Sequence, residues 1–193
     1  MKVCFFAIII LSLTYSLGQD SKAHDDSMPP PPSGYTWQQF SEINSAFLKP
    51  NGWFFKHEQR GSAHVYVISQ ESVLEHGSFT TGLTLQVIKF IQKKEGLPAS
   101  VFAIRMAQAI NESSENTILS SADLGTGPFK AFGIRYRNAP VVGEPIIVHQ
   151  NYIANDKRDT LFIVTFESPE KEWANAWAIG EKILKQFLID DEY

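Results

Sequence analysis

Residues 161–188 read LFIVTFESPEKEWANAWAIGEKILKQFL, and the change of period inside this stretch decides the fold. Residues 161–167 are a short run of β-branched and aromatic side chains, the composition of a strand. Ser168-Pro169 then offers an N-cap followed by a proline at the first helical position, and a helix is expected from there to about Leu188. Trp173, Ala176, Trp177, Gly180, Ile183, Leu184 and Phe187 recur at three- and four-residue intervals, a broad apolar stripe that must lie against another surface. A sheet containing residues 161–167 supplies that surface.

Working outward, residues 146–154, 129–137 and 117–123 are further strand candidates separated by Gly, Pro, Asn and Asp clusters, a spacing that suits an antiparallel meander. Before them, Leu97-Pro98 leads into a helix over 99–111 with Phe102, Met106, Ala109 and Ile110 on one side. Residues 53–56, 64–69 and 82–91 read as strands, the first two flanking a turn near Arg60 and Gly61. An opening helix is expected from Thr36, which can cap it, with Gln39 completing a capping-box spacing. Trp37, Phe40, Ile43, Phe47 and Leu48 fall at helical intervals before Lys49-Pro50-Asn51-Gly52 stops the run. Helices early, middle and late around runs of strands predict an α+β fold, an α/β/α sandwich whose central antiparallel sheet is flanked by helices.

At the N-terminus Lys2 precedes an apolar stretch over 3–13 and then the small residues Ser16 and Gly18, the pattern of a secretory signal peptide over residues 1–18. The apolar run is well short of the roughly 20 residues that cross a bilayer. The mature chain is therefore expected not to span a membrane and to be secreted or periplasmic. Residues 19–34 are polar and end in four prolines at 29–32, so they read as a disordered spacer, which leaves 35–193 as a single domain. Cys4, the one cysteine, lies in the leader, so disulfides, a thiol nucleophile and a thiolate metal site are not expected in the mature domain. Hydrophobic residues at 44% and charged residues at 20% are ordinary globular values. Against 21 acidic residues, 17 basic ones leave a net charge of −4, with no surplus to neutralise a phosphate backbone. Nucleic acid is not an expected partner. Asn111-Glu112-Ser113 fits the N-glycosylation triplet.

Motifs that carry chemistry are sparse. No Gly-x-Ser-x-Gly elbow, phosphate-cradling loop or Rossmann glycine run occurs, so no catalytic residue and no cofactor is assigned. Of the five histidines, His57 and His64 form the pair that stands out. With Arg60-Gly61 at the centre of a hairpin they lie directly opposite each other with both rings on one face, a candidate metal pair, although a firm zinc site wants three or four ligands. The same register groups Trp53, Phe55, Tyr66 and Ile68 with the histidines and puts Phe54, Val65 and Val67 on the other face, so both faces are expected to be partly buried. Basic residues such as Arg105, Arg135 and Arg137 are scattered without forming a stripe.

Pro50-Asn51-Gly52-Trp53, then Thr80-Thr81-Gly82-Leu83-Thr84 before a strand, then Phe166-Glu167-Ser168-Pro169 leading to Trp173 resemble the PsbP-like family over roughly residues 35–188. The resemblance implies the α/β/α sandwich, also seen in a eukaryotic Ran-binding import factor and in bacterial exported proteins. The family's best-known member is an extrinsic photosystem II subunit that assists calcium and chloride retention. What this implies is a binding or accessory role toward a protein or small ligand, with no active site to carry across. The expectation is an exported, non-catalytic binding or accessory module. The alternative is a hydrolase whose metal or carboxylate site is assembled by tertiary proximity.

Overall fold

The computed structural model describes residues 28–61, 63–125, 127–190 and 192–193; the expected leader, and the expected spacer up to residue 27, lie outside them. The chain runs through β1 (Tyr35–Phe40), a 3-10 turn (Ser41–Ile43), β2 (Ser45–Pro50), β3 (Phe54–Arg60), β4 (Ala63–Ser69), α1 (Val73–His76) and β5 (Gly82–Lys89). It continues through α2 (Ile91–Glu95), α3 (Ala99–Glu112), β6 (Asn116–Asp123), β7 (Lys130–Asn138), β8 (Ile146–Asn155), β9 (Thr160–Pro169), a 3-10 turn (Glu170–Glu172) and α4 (Trp173–Lys185).

Seven strands form one antiparallel sheet in the order β3-β4-β5-β9-β8-β7-β6, and β1-β2 is a separate hairpin. Two meanders are joined where β5 pairs with β9, from Gly82 opposite Glu167 to Lys89 opposite Thr160. This makes β9 the central strand. Residues 160–164 are buried without a break, as a strand covered on both faces requires.

Alternation along the strands sorts two cores. Tyr66, Ile68, Leu85, Val87, Phe162 and Phe166 gather on one face with Phe40, Phe47 and Ile183, under α4 and the hairpin. Ile134, Tyr152, Ala154, Leu161 and Ile163 gather on the other with Ile91, Ala99 and Ala103, under α2 and α3. The cover is diagonal: α3 lies against β6, β7, β8 and β9, whereas α4 lies against β9 and β2. The α4 stripe buries Ala176, Gly180 and Ile183, as its spacing predicts. Gly180 permits the close approach, since a Cβ there would stand 2.7 Å from the Phe166 ring.

Three local expectations are corrected. Residues 36–48 are a hairpin, not a helix, paired from Thr36 opposite Lys49 to Phe40 opposite Ser45 and turning at Asn44 with φ 48°. Four consecutive residues, Ser45, Ala46, Phe47 and Leu48, are buried; a helix, advancing about 100° per residue, would have turned some of them to solvent. Ser168 does not cap α4. It is buried in β9, where its hydroxyl accepts from Thr81 Oγ1 at 3.3 Å, and the 3-10 turn delays the helix to Trp173. In the β3-β4 hairpin Arg60 pairs with Ala63, so His57 opposes Tyr66 and His64 opposes Gln59. Gly61 takes the first loop position with φ 62°, a left-handed conformation that glycine adopts without strain. The register moves by two places, so both histidines keep the same face.

Candidate functional site

β3 and β4 bring the two expected histidines together as diagonal neighbours. His57 Nε2 and His64 Nδ1 are 3.2 Å apart, and His57 stacks on Tyr66 at 4.3 Å. Glu42, from the turn of the β1-β2 hairpin, places one carboxylate oxygen 3.7 Å from His57 Nδ1 and accepts from the Tyr66 hydroxyl with the other at 3.4 Å. Burial first, then the charges of His57 and Lys89, hold His64 below its ordinary value, against the pull of Glu42. Among the described residues no group of three or more His, Cys, Asp or Glu is placed to hold a metal.

An open groove of about 830 Å³ lies elsewhere, between α3 and the ends of β6 and β7, lined by Ser100, Val101, Ile104, Asp123, Lys130 and Phe132 among others. At its margin Asp156 accepts from Ser100 N, Ser100 Oγ and Lys130 Nζ, each at 2.8 Å. Burial would raise this carboxyl, but the bonds from Lys130 and Ser100 hold it below its usual range. The Asp156 and Lys130 charges are thus consumed within the fold.

A third site has charge left over. On the α4 face Arg135 of β7 pairs with His149 of β8, which pairs with Phe166 of β9, forming one row at the edge of α4. The Arg135 guanidinium lies 4.1 Å from the Trp177 ring and 5.3 Å from that of Trp173. The two indoles stack at 5.2 Å, tilted by only 16°, a shelf that holds the cation by its π faces. Arg135 Nε, His149 Nδ1 and Asn151 Oδ1 are buried without hydrogen-bond partners. No ion pair to Arg135 is found among the described residues. Its neighbour Arg137, by contrast, donates from Nε to Glu170 at 2.9 and 3.0 Å. Glu181, one turn beyond Trp177, acts on Arg135 only through its field and makes its ion pair with Lys185 at 3.1 Å.

Burial, and then the Arg135 charge, push the His149 ring down to about 4; Asn151 tempers this, although no hydrogen bond of good geometry joins the two. The ring is therefore neutral at physiological pH. Ser120 and Ala122 of β6 share this face, opposite Arg135 and Gly133, and are exposed, so small side chains continue it past the Trp shelf. A fixed cation on an aromatic platform suits a carboxylate or similar anion. Arg135 carries no sequence signal that separates it from the other scattered bases. It meets His149 only through the β7-β8 register, and residues 139–145 make a loop too long for that register to be read.

No family model matches the chain, and no curated protein matches it. Solved structures do. The Saccharomyces cerevisiae Ran-binding protein Mog1p aligns with a TM-score of 0.51 at 12% identity, over 80% of this chain and 95% of that one. Cyanobacterial PsbP from Synechocystis sp. PCC 6803 aligns with a TM-score of 0.55 at 13% identity, over 88% of this chain and 98% of that one. The fold is that of Mog1p and cyanobacterial PsbP. The PsbP-like resemblance of residues 35–188 is thereby borne out as a likeness of fold, and at such identity fold is what the likeness shows. No helix among the described residues is long and apolar enough to cross a membrane.

Proposed function

We propose that the chain is an exported, non-catalytic binding or accessory module that engages a protein partner through the open half of its α4 face, with Arg135 as the anchor. The observation that carries this reading is the Arg135 guanidinium, stacked at 4.1 Å on Trp177 with no ion pair among the described residues. Arg135 is half-buried, and partial desolvation of a cation costs free energy unless something offsets it; a partner's carboxylate would do so. Two further features support the reading: a leader of signal-peptide type at residues 1–18, and a fold shared with Mog1p, itself a Ran-binding protein. Ran is not carried over as the partner, because the leader routes this chain to a secreted or periplasmic location.

The test places a photo-crosslinker at exposed Ala122 and recovers the full chain from its native compartment. The expected result is one reproducible crosslinked partner that disappears in Arg135→Glu while the circular dichroism spectrum is retained. Equal recovery with Arg135→Glu, or no crosslink at all, counts against the reading.

A further inference from the structure

We propose that His57 and His64 form a two-histidine site for a borderline divalent metal of the Zn²⁺ class, with Glu42 as the carboxylate that orients His57. Two nitrogens bound tetrahedrally to one zinc at about 2.0–2.1 Å stand about 3.3–3.4 Å apart. Here His57 Nε2 and His64 Nδ1 are 3.2 Å apart, so strand pairing has already set the bite. The ring centroids are 5.5 Å apart, which aims the two nitrogens at each other, and a modest rotation of each ring turns both lone pairs toward a shared ion.

Glu42 supplies the outer support. Its oxygen 3.7 Å from His57 Nδ1 favours the tautomer with the proton on Nδ1, which leaves Nε2 as the lone pair. Metal-bound histidines commonly donate their second N–H to a carboxylate, and Glu42 stands within ion-pair reach of His57 for that role, not yet at hydrogen-bond length. Tyr66, in turn, donates to Glu42 at 3.4 Å. Without metal, His64 Nδ1–H donates to His57 Nε2. Metal binding frees His64 Nδ1: its proton leaves to water and Nε2 takes one from water, so no net proton is released. Water fills the remaining coordination positions. Lys89, which sits over the Tyr193 ring at 3.3 Å and whose field reaches His64, is the opposing charge. The site is independent of Arg135.

The test titrates metal-free full chain with Zn²⁺ by calorimetry. One equivalent is expected to bind, with at least tenfold weaker binding in His57→Gln and in His64→Gln, roughly tenfold weaker in Glu42→Gln, and tighter binding in Lys89→Gln. Ring resonances of the unmodified protein guard against misfolded variants: Zn²⁺ is expected to shift the His57 and His64 signals and leave His149 in place. No uptake by the unmodified chain, uptake unchanged in both histidine variants, or shifts confined to other histidines would each overturn the proposal.

Discussion

His149 shows how one side chain links the fold to the candidate site. Its ring packs against Trp177 at 4.6 Å, and burial together with Arg135 lowers it from 6.5 to about 4. The folded state therefore holds a neutral ring that the unfolded chain would protonate. The resulting stability is fully present above pH 6.5 and is lost as the pH falls from 6.5 toward 4. Each tenfold drop in proton affinity on folding is worth about 1.4 kcal/mol, so the loss is at most about 3 kcal/mol. Urea unfolding of the wild type and of His149→Gln across pH 4 to 7 checks this, with the wild type expected to lose more stability on acidification. His64, also lowered mainly by burial, contributes to the slope of both proteins and cancels in the difference. Parallel curves would mean that His149 is as solvated in the folded state as in the unfolded one.

At the scale of elements, Gly180 decides how closely α4 can lie on β9. Alanine there would favour the isolated helix by about 1 kcal/mol, but its Cβ would meet three Phe166 ring atoms at 2.7–2.8 Å. Phe166 is fully buried and edge-on to Trp177 at 6.0 Å, so it has little room to yield. Overpacking of this kind costs about 1–3 kcal/mol, and Gly180→Ala is expected to lower the urea midpoint despite the better helix former. A raised midpoint would show that α4 can slide. This helix was legible in the sequence because seven apolar positions recur at one period over four turns, and the β6–β9 meander because turn residues punctuate it. The β1-β2 hairpin was not, since Trp37, Phe40, Phe47 and Leu48 fit a helical stripe as well as a ribbon and only tertiary burial separates the two. The histidine pair was half legible: parity along the strands put both rings on one face, while the register depended on which loop position Gly61 takes. Arg135 could not be read at all, because its meaning lies in Trp177 and His149, which come from different elements.

Across the whole molecule the first and last described elements depend on each other. A two-stranded ribbon such as β1-β2 is marginal alone, and here the C-terminal segment closes over it. Ala46 and Leu188 exchange both backbone hydrogen bonds at 3.0 Å, Phe187 stacks on Phe47 at 4.2 Å, and Asn44 Nδ2 donates to Asp190 at 2.7 Å. Thr160 also donates to the Tyr193 carbonyl at 3.2 Å, tying the same segment to β9. Ending the chain at Lys185 removes all four contacts. Burial of a Phe is worth about 1.5–3 kcal/mol and each of the four hydrogen bonds about 1 kcal/mol net, so the loss is expected to be about 5–7 kcal/mol. In a domain of this size that corresponds to a fall in Tm of roughly 10–30 °C. Amide exchange locates the damage: β1 and β2 should lose protection while β9, walled in on both faces, keeps it. Uniform loss across β9 as well would mean that the hairpin is part of one cooperative unit with the sheet. Protection retained in β1 and β2 would mean that Phe40, packed on Tyr66 at 4.5 Å, holds the ribbon without the C-terminal segment.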